Sequence, residues 1–178
     1  HQGCHVQEGL PLRLVDLLSA LDSAQVLEVP DVTVTGITAD SRTVKPGDVF
    51  VCIPGARVDA HQFIPDAVRR GAVAVVSQRP CPVPKGVGAV VVADPRHALS
   101  ALADRFYGSP SCTLKMVGVT GTNGKTTTAF LVEAIARAGG RTMGVIGTAG
   151  MMLGTEELEG KAGYTTPEPQ TIHRLLAT

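Results

Sequence analysis

Thirteen consecutive residues hold the strongest chemistry in the sequence: Met116-Val117-Gly118-Val119-Thr120-Gly121-Thr122-Asn123-Gly124-Lys125-Thr126-Thr127-Thr128. Glycines let successive backbone N–H groups turn toward one point and approach an anion closely. A helix opening at Lys125 adds its unpaired N–H groups and the positive end of its dipole. The Lys125 ammonium can reach the β- and γ-phosphates of a nucleotide, and the Thr126 hydroxyl can ligate Mg²⁺. The candidate nucleotide-binding residues are Gly121, Thr122, Asn123, Gly124, Lys125, Thr126 and Thr127, with Lys125 and Thr126 as the catalytic pair.

The stretch departs from the G-x-x-x-x-G-K-[ST] loop at one place, because Val119 stands where the first glycine belongs. A strand-to-helix turn whose glycines serve geometry alone is the alternative reading. Two other polar clusters follow apolar runs, at Ala39-Asp40-Ser41-Arg42 and at Gly55-Ala56-Arg57, and Tyr164-Thr165-Thr166-Pro167-Glu168 reads as a helix start whose two hydroxyls and free N–H groups could hold an anionic ligand. Ligands of open α/β sheets gather at strand carboxyl ends, although ordinary turn chemistry would use the same residues. His61 and His97 have no partner at metal-ligand spacing, and Asp94 reads as a helix cap.

The elements that must position these groups alternate. Leu12, Val15, Leu17, Leu18 and Leu21 suggest a short amphipathic helix. Strands are expected at 32–37, 49–53, 72–76 and 87–92, and helices from about Asp59 to Arg70 and from Asp94 to about Gly108. Asp94 with Pro95 is a cap followed by a proline at the first helical position. Gly108-Ser109-Pro110-Ser111 reads as a boundary, giving domains at 1–111 and 112–178. In the second, the run from Met116 reads as a strand, and the helix after Lys125 places Leu131, Ala134, Ile135 and Ala138 on a core-facing stripe. Arg141–Thr148 reads as a parallel strand returning beside the first, with its end near the glycine loop. Residues 149–163 suggest a hairpin or a mobile loop, and a last helix opens with Thr166 as cap and Pro167 first. The fold class is therefore α/β: a small N-terminal α/β domain followed by a truncated α/β domain carrying the phosphate loop.

Composition narrows the partners. A chain of 178 residues that is 44% hydrophobic can build a core and is not a disordered segment. Lys+Arg and Asp+Glu are equal at 16 each, and aromatics are 3% without a tryptophan, so neither global charge nor a base-stacking surface argues for nucleic acid. Cys4, Cys52, Cys81 and Cys112 are far apart, which speaks against a zinc site or a disulfide framework, and Cys52 inside an apolar run reads as a buried thiol. No apolar run is long enough for membrane insertion and no signal-peptide pattern opens the sequence at His1, so a cytoplasmic protein is the expectation.

Taken together, these residues resemble the Mur ligase family. Gly121–Thr128 looks like that family's ATP loop, in which the valine at 119 is normal. Asp40-Ser41-Arg42, Pro46-Gly47-Asp48-Val49-Phe50-Val51, Pro54-Gly55, Asp59-Ala60-His61-Gln62-Phe63-Ile64 and Gly71–Val76 resemble its amino-terminal domain. Gly144-Val145-Ile146-Gly147-Thr148 followed by Thr165-Thr166-Pro167-Glu168 is similar to the members that add the third amino acid to UDP-N-acetylmuramoyl-L-alanyl-D-glutamate. The resemblance implies ATP and Mg²⁺ as cofactors, with Thr126 on the metal. It also implies that Ala39, Ser41, Ala56, Arg57 and Val58 contact the uridine diphosphate end, and Thr165 and Thr166 the muramoyl peptide. The implied reaction is an amide ligation through an acyl phosphate, with a diamino acid (diaminopimelate or lysine) as the second substrate and a monomer as the working form. Family parts beyond these are absent from the sequence, which is expected to be an inactive fragment of such a ligase. The ligase that adds the next residues, and a module that only binds a UDP-sugar peptide, are the alternatives. A kinase-like ATPase would need an aspartate at the end of a neighbouring strand, and Val145-Ile146-Gly147-Thr148 has none.

Overall fold

Strict alternation along three strands decides the first half of the chain. Val49 and Val51, Ala74 and Val76, and Val90 and Val92 share one buried face, while Phe50, Cys52 and Val75 share the other. The computed structural model describes residues 9, 11–55, 59–159 and 167–178. Its elements in order are β1 (Leu12–Arg13), α1 (Leu14–Leu18), β2 (Ala24–Glu28), β3 (Thr33–Val34), β4 (Gly36–Thr38), β5 (Asp48–Val51), α2 (Ile64–Arg69), β6 (Ala74–Ser77), β7 (Gly88–Val92), α3 (Pro95–Phe106), α4 (Lys125–Ala138), β8 (Gly144–Gly147), β9 (Gly150–Leu153), β10 (Glu156–Glu159) and α5 (Pro169–Leu176). They form two compact units, His1–Leu114 with Pro169–Thr178, and Lys115–Glu168.

The first unit is a five-stranded sheet in the order β2-β7-β6-β5-β4. β4, β5, β6 and β7 run parallel, and β2 closes one edge antiparallel to β7. Leu14 and Leu17 of α1 and Leu99, Leu102 and Phe106 of α3 cover one face, and Ile64 and Ala67 of α2 cover the other. Each of these leucine, isoleucine and phenylalanine side chains contributes roughly 1.5–3 kcal/mol by leaving water. The parallel direction places the segments after Thr38, Val51, Ser77 and Val92 along one edge of the sheet. Asp94 caps α3 as the sequence predicts, accepting from the N–H groups of Arg96 and His97 at 2.9 and 3.1 Å with Pro95 in the first turn.

Several elements differ from the sequence reading. The helix expected around Leu12–Leu21 is only α1, because Leu12–Arg13 pairs with Thr33–Val34 instead of winding. The strand expected over 32–37 breaks at Thr35, whose N–H donates to the Gly47 carbonyl and so leaves the ladder. β2 was not foreseen, since Gln25, Val26 and Leu27 are all exposed and show no inward–outward alternation. A 3₁₀ turn at Ala60–Phe63 precedes α2, and Asp59 caps that turn by accepting from the His61 N–H at 3.0 Å.

In the second unit, the expected parallel β-α-β arrangement does not form among the described residues. Met116–Val119 makes no ladder, and β8 pairs antiparallel with β9 across a two-residue turn, in the sheet order β10-β9-β8. A hairpin closes over two residues with little loop entropy, whereas a parallel partner needs a long crossover. The expected hairpin after residue 149 is β9 with β10. The stripe on α4 has helical period but is not buried: Leu131 is 59% and Ile135 72% exposed, because the opposite face, with Thr126, Ala129 and Phe130, turns to the β8 side. The last helix begins at Pro169 rather than Pro167, which puts a residue without an N–H at the position that lacks a partner for one. That helix packs on α3 in the first unit, with Leu175 buried and His173 Nδ1 3.4 Å from Asp104 Oδ1.

Gly88 tests the closeness of the core. A Cβ there would lie 2.8 Å from Leu14 Cδ2 and 2.9 Å from the Cβ of Ala74, its ladder neighbour. Gly88→Ala is expected to lower stability by about 1–3 kcal/mol in a denaturant titration; an unchanged midpoint would mean that α1 yields at no cost.

Candidate functional site

The glycine loop meets α4 at Gly124, whose φ of 78° lies in the left-handed region that residues with a Cβ avoid. Gly124 is also the residue that caps α4, and it has no side chain to offer. The Thr128 N–H closes the first helical bond on the Gly124 carbonyl at 2.9 Å, and no side chain caps the helix. The N–H groups of Lys125, Thr126 and Thr127 therefore begin the helix without intrahelical acceptors, which is what an anion at a helix N-terminus requires. Gly121 has a φ of 150°, and its carbonyl accepts a hydrogen bond from Lys125 Nζ, so the ammonium is held back over the loop that precedes it.

A cleft of about 390 Å³ opens beside this loop within the second unit. Val119 and Thr120, Lys125 and Thr126, Phe130 and Thr148 are among the residues that line it. Thr126 Oγ1 lies 3.4 Å from Thr148 Oγ1, so the end of β8 does reach the loop as expected, though β8 arrives as part of a hairpin. Among the described residues no group of three or more His, Cys, Asp or Glu could hold a metal ion. The oxygen donors present are threonine hydroxyls, hard ligands that suit Mg²⁺ when phosphate oxygens and water complete its shell. The donor set fits the cation that the loop motif implies.

A second constellation lies at the strand carboxyl ends of the first unit. Ser41 is 8% exposed and Ala39 is half-buried in the turn that follows β4. That turn is tied at several points: Thr38 Oγ1 to Thr43 Oγ1 at 2.9 Å, the Thr43 N–H to the Asp40 carbonyl at 3.0 Å, and the Arg42 N–H to Asp40 Oδ1 at 2.9 Å. The Arg42 guanidinium also grips the Asp40 carboxylate at 2.9 and 2.7 Å, and this holds the Asp40 carboxyl below its ordinary range. Arg70 of the neighbouring helical segment donates to the Arg42 carbonyl at 3.3 Å. Ser41 thus sits on a turn fixed by its neighbours.

Sequence reasoning missed a further cluster in the same unit. Asp59 pairs with Arg79 and, at 2.7 Å, with His61 Nδ1. The His61 backbone N–H, first among these contacts, holds the Asp59 carboxyl low. Ser77 Oγ donates to the Arg79 carbonyl at 2.8 Å and stands 3.7 Å from Cys81 Sγ. Cys52 is fully buried as expected, and burial pushes its thiol up to about 11. The Asp-x-His spacing was visible in the sequence; its arginine partner twenty residues later was not.

The structure brings Gly121, Thr122, Asn123, Gly124, Lys125, Thr126 and Thr127 into one loop and helix start, and sets Ala39 and Ser41 together in the other unit. Ala56, Arg57, Val58, Thr165 and Thr166 lie outside the described residues.

Parallel strands with loops gathered at one edge, followed by a glycine loop that opens a helix beside a cleft, define a protein of the α/β class in two units. The chain belongs to the Mur ligase family: the family model described as "Mur ligase family, catalytic domain" matches residues 33–107, and "Mur ligase middle domain" matches 119–178. It is 44% identical over 163 residues to the UDP-N-acetylmuramoyl-L-alanyl-D-glutamate--2,6-diaminopimelate ligase of Geobacillus thermodenitrificans, covering 92% of this chain and 32% of that protein. The chain thus spans about a third of the length of the curated relatives it matches. A solved structure of a ligase of the same name has a TM-score of 0.72 at 23% identity, over 94% of this chain and 33% of that one, a likeness of fold. MurF ligase from Thermotoga maritima in complex with ADP has a TM-score of 0.52 at 26% identity, over 79% of this chain and 28% of that one.

The Asp40–Arg42 pair gives a pH signature for the Ser41 turn. A carboxyl held low in the folded state stabilises it above the unfolded pKa of about 3.9 and loses that contribution as pH falls through the lower folded value. Asp40→Asn should cost about 1 kcal/mol or less at neutral pH, as exposed pairs do. The gap between wild type and variant should close in denaturant titrations below about pH 4. A gap that persists in acid would show that charge is not what holds the turn.

Proposed function

We propose that this chain carries two binding elements of an ATP-dependent amide ligase of peptidoglycan synthesis, one that adds a diamino acid to UDP-N-acetylmuramoyl-L-alanyl-D-glutamate. The observation that carries the reading is the uncapped start of α4 behind Gly124, with Lys125 and Thr126 on one side of a cleft and Thr148 on the other. The names of the curated relatives, at 37–44% identity, favour the third-residue ligase over the MurF type, whose structures share the fold at 24–29% identity.

In this reading a nucleoside triphosphate places its phosphates against the N–H groups of residues 121–127, which orient them without moving, and Lys125 exchanges the Gly121 carbonyl for a phosphate oxygen. Thr126 would hold a Mg²⁺ ion, which neutralises charge on the phosphates when bound. The γ-carboxylate of the D-glutamyl residue attacks the terminal phosphorus and ADP leaves. The amine of the incoming diamino acid then attacks the acyl carbon, and phosphate departs from the tetrahedral intermediate. Ala39 and Ser41, with Ala56, Arg57 and Val58, would take the uridine diphosphate end, and Thr165 and Thr166 the muramoyl peptide. The chain spans about a third of its relatives, so binding without turnover is the expected behaviour of these residues by themselves. No helix among the described residues is long and apolar enough to cross a membrane, and we assign the work to a monomer in the cytoplasm, where the nucleotide substrates are.

Calorimetric titration of the chain with UDP-N-acetylmuramoyl-L-alanyl-D-glutamate tests the substrate half. Saturable binding, weakened by about 0.5–1.5 kcal/mol in Ser41→Ala through loss of one hydrogen bond, is the expected result. Binding of ADP with no binding of the UDP ligand would leave a phosphate-loop protein and remove the peptidoglycan assignment.

A further inference from the structure

A threonine hydroxyl has one proton and two lone pairs. When one lone pair of Thr126 Oγ1 is given to a cation, the O–H must point away from the metal and find an acceptor, or be left unpaired at a cost. Thr148 Oγ1, at the end of β8, stands 3.4 Å from Thr126 Oγ1, and it is the side-chain partner found for the Thr126 hydroxyl among the described residues.

Thr148 is well placed to hold its position. It is the first residue of the two-residue turn between β8 and β9, bracketed by the ladder pair Gly147 and Gly150. Both threonines line the cleft together with Lys125. A register slip in the hairpin would move Thr148 off this point, because neighbouring strand residues face opposite ways. The hairpin that replaced the expected parallel strand therefore delivers a hydroxyl to Thr126 at the start of α4.

We propose that Thr148 is a positioning residue for the nucleotide-bound cation: its Oγ1 accepts the Thr126 O–H and so aims a Thr126 lone pair at Mg²⁺. The inference rests on the nucleotide-loop reading given above. It extends that reading to a residue that touches neither phosphate nor metal.

The test is ADP affinity of the chain, measured by calorimetry with Mg²⁺ and again with the metal chelated, for wild type, Thr148→Val, Thr148→Ser and Lys125→Ala. Valine keeps the shape and removes the hydroxyl. The expected result is that Thr148→Val loses about tenfold of the Mg²⁺-dependent gain in ADP affinity, keeps its metal-free affinity, and is rescued by Thr148→Ser. A Mg²⁺-dependent gain equal to wild type in Thr148→Val would overturn the proposal. So would a loss of metal-free affinity of the same size, which would show that the residue only supports the loop. Failure of the nucleotide-loop reading itself looks different: wild type would bind no ADP under either condition, or Lys125→Ala would bind as well as wild type, and the role of Thr148 would fall with it.

Discussion

Every backbone N–H in a folded chain needs an acceptor, and a helix always leaves its first few without one. Most helices close this gap with a side chain, as Asp94 does for α3. The start of α4 does not. Gly124 occupies the capping position in a left-handed conformation and brings no oxygen, so the amides of the next three residues stay available. The rest of the second unit is arranged about that opening. Lys125 is folded back on the loop, the cleft lies beside it, and the β8–β9 turn brings a hydroxyl opposite Thr126.

The first unit solves a different problem by different means. Its parallel strands are buried on both faces, so their side chains make core and carry no chemistry. The parallel direction instead collects the connecting segments at one edge. There the charges are tied into local pairs: Arg42 holds Asp40, and Arg79 holds Asp59. These pairs are exposed and contribute little to stability. Their effect is on shape: Asp40–Arg42 fixes the turn on which Ala39 and Ser41 sit, and Asp59–Arg79 joins the segments after β5 and β6.

How much of this was legible in the sequence depends on the range of the interaction. Asp94-Pro95 announced α3 because a cap and a proline act within one turn, and Val49–Val51 and Ala74–Val76 announced buried strands because their composition leaves no polar face. The glycine loop was legible for the same local reason. What failed was partner choice. Met116–Val119 has the composition of a strand, yet a strand needs a neighbour, and β8 found its neighbour two residues away in β9. The α4 stripe has the period of a buried face, but period does not supply the surface that would cover Leu131 and Ile135. β2 was missed because its side chains are exposed, and its place is set by hydrogen bonds to β7, which leave no trace in side-chain pattern. The Asp59–Arg79 pair joins loops that only the sheet brings together.

The central claim is that the backbone amides between Gly121 and Thr127 are the phosphate-binding groups of this chain. Amide hydrogen exchange read residue by residue, with and without Mg²⁺ and ADP, measures those groups themselves. The account predicts slowed exchange at residues 121–127 and at the β8–β9 turn when the nucleotide is added, with the turn after β4 unchanged. Unchanged exchange across 121–127 in the presence of bound ADP, or protection confined to the first unit, would contradict it.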